Sequence, residues 1–291
     1  MTGTDGDPER LTAAGTGFLA GGSEHANAPP LVCLHGIGGD ATSFRAQIAG
    51  LAGPDQRVLS WDMPGYGGSA PLAAMDFAAL CERLCAALDE LGLGRVIIAG
   101  QSIGGMIAQE MAIRHPGRVA GLVLIATVPG FGGRDDSFRD AFLAARLAPL
   151  DQGVGMGALA AEAIPAVLGP HVDSTTRDDA IAAMAAIPEA AYRQVLATLV
   201  SFNRREDQHL ITCPCLLIAG GKDDNSPARV MERMADRLPD AALLVIENAG
   251  HLVNSEAYRE CNRAITAFLQ GLEQDSNTDF DGDGKSRKQH A

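Results

Sequence analysis

The chain has no run of lysine and arginine, and its 36 acidic residues outnumber 23 basic ones, for a net charge of −13. Part of that acidity lies in the two tails, so it says little about a substrate. A surface of this sign repels a polyanion, which excludes nucleic acid as a partner. No apolar stretch reaches about eighteen residues without a charge or a breaker, so no membrane span is expected. Met1 to Glu9 is polar and acidic and lacks the basic start and apolar core of a secretory leader. The expectation is a cytoplasmic protein. None of the six cysteines (Cys33, Cys81, Cys85, Cys213, Cys215, Cys261) forms a CxxC pair. They read as reduced, mostly core residues and not as a disulfide framework or a metal site. No metal and no cofactor is expected.

What is present centres on Gly100-Gln101-Ser102-Ile103-Gly104. The run Arg95 to Ala99 before it is apolar and β-branched and predicts a buried strand. The segment Met106 to His115 after it predicts a helix, stopped by Pro116 and Gly117. A serine in a strand-to-helix turn, with glycine two places to either side, is the nucleophile-elbow pattern. The turn is tight, and side chains at the glycine positions would meet neighbouring backbone. The serine hydroxyl projects, and the amide of Ile103 faces the same space.

Strands and helices alternate around this point. Residues 10–22 predict an edge hairpin, and Leu31 to Leu34 a buried strand running into His35-Gly36-Ile37-Gly38-Gly39. A glycine-rich loop at a strand end can bind an oxygen anion, and the Ile37 amide is the candidate donor. His35 reads as a residue that pins its loop by a hydrogen bond. A helix over 43–52 precedes the strand Arg57 to Trp61 and the turn-rich loop Asp62 to Ser69, where Asp62 reads as an acceptor for its own loop. Helical spacing of Phe77, Leu80, Leu84, Leu88 and Leu91 follows, and after the elbow comes an apolar strand from Val119 to Ala126. The implied class is α/β: a mostly parallel, doubly wound sheet covered on both faces, with ligands beyond the carboxyl ends of its strands.

The alternation stops over 128–208, where alanine-rich helices are predicted at 138–147, 154–168, 177–186 and 189–202, separated by Pro149, Gly169, Pro170 and Pro188. This reads as a helical cap inserted between core segments 10–127 and 209–271. The strand Pro214 to Ala219 then leads into a loop holding Asp223 and Asp224. A last strand at 242–246 leads to His251, and a final helix covers 255–269. Residues 1–9 and 272–291 read as disordered tails. Asp279 to Gly284 copies the opening of a calcium loop, but His290 stands where the closing glutamate belongs.

A serine hydroxyl needs a base, and the base needs an orienting acid. Strand-end loops supply Ser102, Asp223 and His251, in that chain order. Asp224 and Glu247 are the rival acids. His171 and His209 are the rival bases, but they lie in or beside the cap.

HGIGG at 35–39, DMPGYGGS at 62–69, GQSIGG at 100–105, GGKDD before Pro227 and AGHLV at 249–253 together resemble the α/β-hydrolase superfamily from Leu31 to Leu269. Within it the chain is most similar to bacterial 3-oxoadipate enol-lactonases and related esterases with a four-helix cap. It departs from many members in carrying Gln101, not histidine, before the serine. A serine at the nucleophile position sets it apart from haloalkane dehalogenases and epoxide hydrolases, which attack through a carboxylate. The resemblance implies a serine hydrolase that cleaves a small carboxylic ester or lactone through an acyl-enzyme. In that scheme Ile37 and Ile103 hold the oxyanion, and the protein works as a monomer or homodimer. Carbon–carbon bond hydrolysis of vinylogous diketones, peroxide chemistry and non-catalytic ligand binding are the other activities found on this fold.

Overall fold

The structure, a computed structural model, describes residues 8–132 and 137–278. At its centre is an eight-stranded sheet in the order β1-β2-β4-β3-β5-β6-β7-β8. In chain order the strands are β1 (Glu9–Ala13), β2 (Thr16–Gly21), β3 (Leu31–Leu34), β4 (Val58–Trp61), β5 (Val96–Gln101), β6 (Val119–Ile125), β7 (Cys215–Gly220) and β8 (Ala241–Ile246). β1 and β2 form an antiparallel hairpin joined antiparallel to β4, and every other pairing is parallel. The carboxyl ends of β3 to β8 therefore emerge at one edge of the sheet.

The central strands read as unbroken apolar runs because both their faces are buried. The pleat sends alternate residues to opposite sides. Val32, Leu34, Ile98, Leu122, Leu124 and Leu217 join one core, and Leu31, Cys33, Ile97, Val123, Ile125 and Ile218 the other. Helices α2 (Phe77–Glu90) and α3 (Ile103–Arg114) cover the first face with Leu80, Leu84, Ile107 and Met111. On the second, α1 (Arg45–Leu51) contributes Ile48. Each fully buried aliphatic side chain contributes about 2 kcal/mol. All six thiols are free, and all but Cys213 are buried.

Between β6 and β7 lie α4 (Ser137–Asp151), α5 (Met156–Ala163), α6 (Ser174–Ala185) and α7 (Glu189–Leu199). The two ends of this insertion meet. The Phe131 amide donates to the Phe202 carbonyl at 2.8 Å and the Arg204 amide to the Pro129 carbonyl at 2.7 Å. The Arg204 guanidinium then reaches Glu110 on α3 through Nε at 2.6 Å and a second nitrogen at 3.0 Å. Glu110 is buried and also accepts from Arg114 Nε at 2.6 Å, so a compensated ionic cluster ties the base of the insertion to the core. Beyond β7 come α8 (Ala228–Ala235), α9 (Val253–Glu256) and α10 (Tyr258–Thr278). Met231 and Met234 of α8 join the first core, and Cys261, Ile265 and Leu269 of α10 join the second. Among the described residues no helix is long and apolar enough to cross a membrane.

Several boundaries differ from the sequence expectation. Pro149 does not separate helices but lies inside α4. The stop is Gly153, at φ +83°, where the Gly153 amide bonds Leu150 and the Val154 amide bonds Pro149. This left-handed cap satisfies the last carbonyls, and a proline so near the end costs α4 little. The second difference is at the carboxyl end. α10 runs to Thr278, so 272–278 is helical and not a disordered tail, because Phe268 and Leu272 pack on the second core where Gly121 leaves room for them. Likewise Glu9, placed in the amino-terminal tail, opens β1. The third is at α5, which ends at Ala163 and gives way to a tighter turn over Pro165–Val167. The calcium-like segment at 279–284 lies outside the described residues.

Candidate active site

Ser102 occupies the turn between β5 and α3 with φ 54° and ψ −119°, a conformation that L residues rarely adopt. Such backbone strain costs about 1–3 kcal/mol and persists only where its surroundings impose it. Here the Ser102 carbonyl accepts from the Thr127 hydroxyl at 2.7 Å and the Gly105 amide at 2.9 Å, while its amide donates to Ile125 at 2.9 Å. A Cβ at Gly100 would strike the Gly104 carbonyl, and one at Gly104 would strike the Leu34 carbonyl. The glycines flanking the serine are therefore dictated by close backbone contact.

His251, on the loop after β8, lies with Nε2 3.0 Å from Ser102 Oγ and Nδ1 2.7 Å from Asp223 Oδ2. The Asp223 side chain is 0% exposed and that of His251 12%. The other carboxylate oxygen, Oδ1, accepts from the amides of Asn225 at 2.8 Å and Ser226 at 3.0 Å. A carboxylate can only accept, so Nδ1 carries the proton and Nε2 is left to accept from the Ser102 hydroxyl. Asp224 and Glu247 are exposed. His209 bonds the Glu206 carbonyl at 2.9 Å, and both His209 and His171 are exposed.

The loops around this trio hold one another. His35 Nε2 accepts from the Met63 amide at 3.0 Å, so its Nδ1–H donates to the Gly36 carbonyl at 2.8 Å. Burial pushes the pKa of His35 below the ordinary value and keeps the ring neutral. Asp62 accepts from the amides of Ala41 at 2.8 Å and Gly68 at 3.1 Å. The Tyr66 hydroxyl donates to the Ile37 carbonyl at 3.1 Å. Among the described residues neither the Ile37 nor the Ile103 amide meets a protein acceptor. Ile103 opens α3, whose first amides have no acceptor within the helix.

Two positioning contacts were not legible in the sequence. Gln101 Nε2 donates to the His251 carbonyl at 2.9 Å. Glu256 accepts from Gly250 at 2.9 Å, Leu252 at 3.0 Å and Gly169 at 2.7 Å, clasping the residues on both sides of His251 and a turn of the insertion. The His251 amide in turn donates to the Val167 carbonyl at 2.8 Å. A glutamate five positions after a histidine is not a recognisable signal, because only the turn between α9 and β8 brings it back.

Above the trio lies a cavity of about 980 Å³, lined by Ile37, Ser102 and His251 from the sheet edge and by Ile164, Met184 and Tyr192 from the insertion. A hydroxyl relayed through an imidazole to a desolvated carboxylate, beside unclaimed amides, can form and break an acyl bond.

Residues 29–258 match the family model described as alpha/beta hydrolase fold. A dihydrolipoyllysine-residue acetyltransferase component of an acetoin cleaving system from Pseudomonas putida is 31% identical over 247 residues, 83% of this chain and 63% of that relative. The chain thus spans less than two thirds of that relative's length. An (E)-2-((N-methylformamido)methylene)succinate hydrolase from Acinetobacter baylyi is 28% identical over 271 residues, 85% of this chain and 92% of the relative. Among solved structures, the enol-lactonase from Burkholderia xenovorans LB400 superposes with a TM-score of 0.79 at 21% identity, over 90% of this chain and 100% of that one, and shares the fold.

Proposed function

The chain belongs to the α/β hydrolase fold family, and from that premise we propose that it is a serine hydrolase of small carboxylic esters or lactones. The observation that carries the reading is the unbroken relay from Ser102 through His251 to the buried carboxylate of Asp223. Ser102 Oγ attacks the carbonyl carbon as His251 Nε2 takes its proton. The amides of Ile37 and Ile103 hold the oxyanion, and losing one such donor costs about 3 kcal/mol of transition-state stabilisation. When the tetrahedral intermediate collapses, the imidazolium returns the proton to the departing alkoxide. Water then attacks the acyl-serine with His251 again as base, releasing the acid. Asp223 holds the Nδ1–H tautomer and stabilises the imidazolium. The insertion acts as a cap that roofs the cavity and keeps bulk water from the acyl bond.

Incubation with a fluorophosphonate probe tests the chemistry. Ser102 becomes labelled in folded protein, and Ser102→Ala abolishes the label; absence of labelling would favour a ligand-binding role. A panel of p-nitrophenyl esters, lactones and ring-cleavage diketones then separates ester, lactone and carbon–carbon cleavage.

A further inference from the structure

The cavity carries a charge pattern opposite to that of the whole chain. The protein has a net charge of −13, yet Arg45, Arg146, Arg205 and Arg229 line the cavity against Asp179 and Asp224. Among the described residues none of these four arginines forms an ion pair. Arg45, Arg229 and both aspartates are exposed, where water screens them. Arg205 spends its donors on the carbonyls of Gly130 and Gly132 and the side chain of Asn203, which leaves its charge uncompensated.

Arg146 on α4 is different. It is half-buried, its guanidinium sits 5.3 Å from the centroid of the Phe142 ring, and no carboxylate meets it among the described residues. Tyr192 of α7 lines the same cavity; it is 2% exposed, and its hydroxyl has no hydrogen-bond partner among the described residues. The Tyr192 ring is buried, but its hydroxyl opens to the cavity, where it can donate to an occupant. Both side chains line this one space, where burial raises the Tyr192 pKa and the Arg146 charge opposes that rise. The result is a cation and a hydroxyl donor, both unclaimed, in a cavity whose neighbouring wall is apolar: Ile164, Met184 and Leu196.

We infer that the substrate carries a second, anionic group, a carboxylate, which Arg146 and Tyr192 hold while Ser102 attacks the ester or lactone carbonyl. This rests on the serine-hydrolase reading and adds the class of substrate. The guanidinium fork matches a carboxylate with paired donors, and stacking on Phe142 holds it in place beforehand. A neutral ester of the same shape displaces water from both groups and gives nothing back, so the site discriminates against it. For a monomethyl dicarboxylate, water adds across the acyl–oxygen bond to give the dicarboxylate and methanol, and the distal carboxylate is unchanged.

The test measures binding apart from turnover. Calorimetry on Ser102→Ala compares monomethyl with dimethyl esters of dicarboxylic acids from succinate to suberate. At the best chain length the monoester binds about ten- to a hundredfold more tightly, the range expected for a charge-assisted contact. Arg146→Met reduces that preference to below twofold. Tyr192→Phe, which keeps the ring and its packing, lowers it severalfold and serves if Arg146→Met does not fold. Equal binding of mono- and diesters, a preference that survives both substitutions, or no binding at any chain length overturns the inference. Failure of Ser102 to take the fluorophosphonate while the preference persists removes the hydrolase reading and leaves the carboxylate site. Labelled Ser102 without the preference does the reverse.

Discussion

Gln101 Nε2 donates a hydrogen bond of 2.9 Å to the backbone carbonyl of His251. The residue before Ser102 thus tethers the loop that carries His251, and Gln101 is itself buried. Gln101→Leu keeps the bulk and removes the donor. One net hydrogen bond of about 1 kcal/mol corresponds to roughly a fivefold fall in kcat/KM. Steady-state kinetics on an activated ester measure it, and unchanged kcat/KM would show that the His251 loop needs no such tether.

The two neighbouring acids separate cleanly. Asp223 is buried against His251, whereas Asp224 is exposed. Asp223→Asn presents an amide that can favour the wrong imidazole tautomer, and a loss of about 10⁴ in kcat is expected. Asp224→Asn stays within a few-fold of the parent. The reverse pattern would assign the orienting role to Asp224.

Glu256 spans the His251 loop and the insertion through three backbone amides. In Glu256→Gln one acceptor becomes a donor facing an N–H. The variant loses about 1–3 kcal/mol of stability, read by urea unfolding. Its far-ultraviolet circular dichroism is retained, and the rate of fluorophosphonate labelling at Ser102 falls in step with kcat. A drop in stability with full labelling rate would leave Glu256 a purely structural clasp.

His35 gives the fold a pH dependence of known sign. Its Nε2 must accept from Met63, and burial holds its pKa below the ordinary 6.5. Above pH 6.5 the ring is neutral in folded and unfolded chains alike, and its contribution to stability is complete. As pH falls below 6.5 the unfolded chain binds a proton that the folded chain refuses. Stability from this group then declines by up to about 1.4 kcal/mol per pH unit until the folded pKa is reached. His35→Gln is less stable than the parent at pH 8, and the gap narrows between pH 6.5 and pH 5. A gap independent of pH would contradict the neutral, desolvated ring.

Wherever a feature is local, the chain announces it. The elbow at Ser102 is legible because strand, glycines and helix are contiguous, and the alternation of β-branched runs with helical spacing declares a covered parallel sheet. The order Ser102, Asp223, His251 on strand ends follows from the same alternation. Element ends depend on more than residue type: a local cap decides one of them and a distant partner another. Pro149 was expected to break a helix that Gly153 ends, and α10 continues past Leu269 because Phe268 and Leu272 find the space left by Gly121.

By itself, then, the sequence determined the fold class, the strand-to-helix elbow at Ser102 and the short set of polar strand-end groups that can gather round it, since periodicity and turn chemistry act over a few residues. Only the tertiary structure decided which acid faces His251, that Gln101 and Glu256 brace its loop, and that Arg146 and Tyr192 share one cavity. Ser102 and His251 are 149 positions apart. The contact between them depends on how the sheet stacks its strands and on the polar groups each buried side chain must satisfy, and no local pattern encodes either.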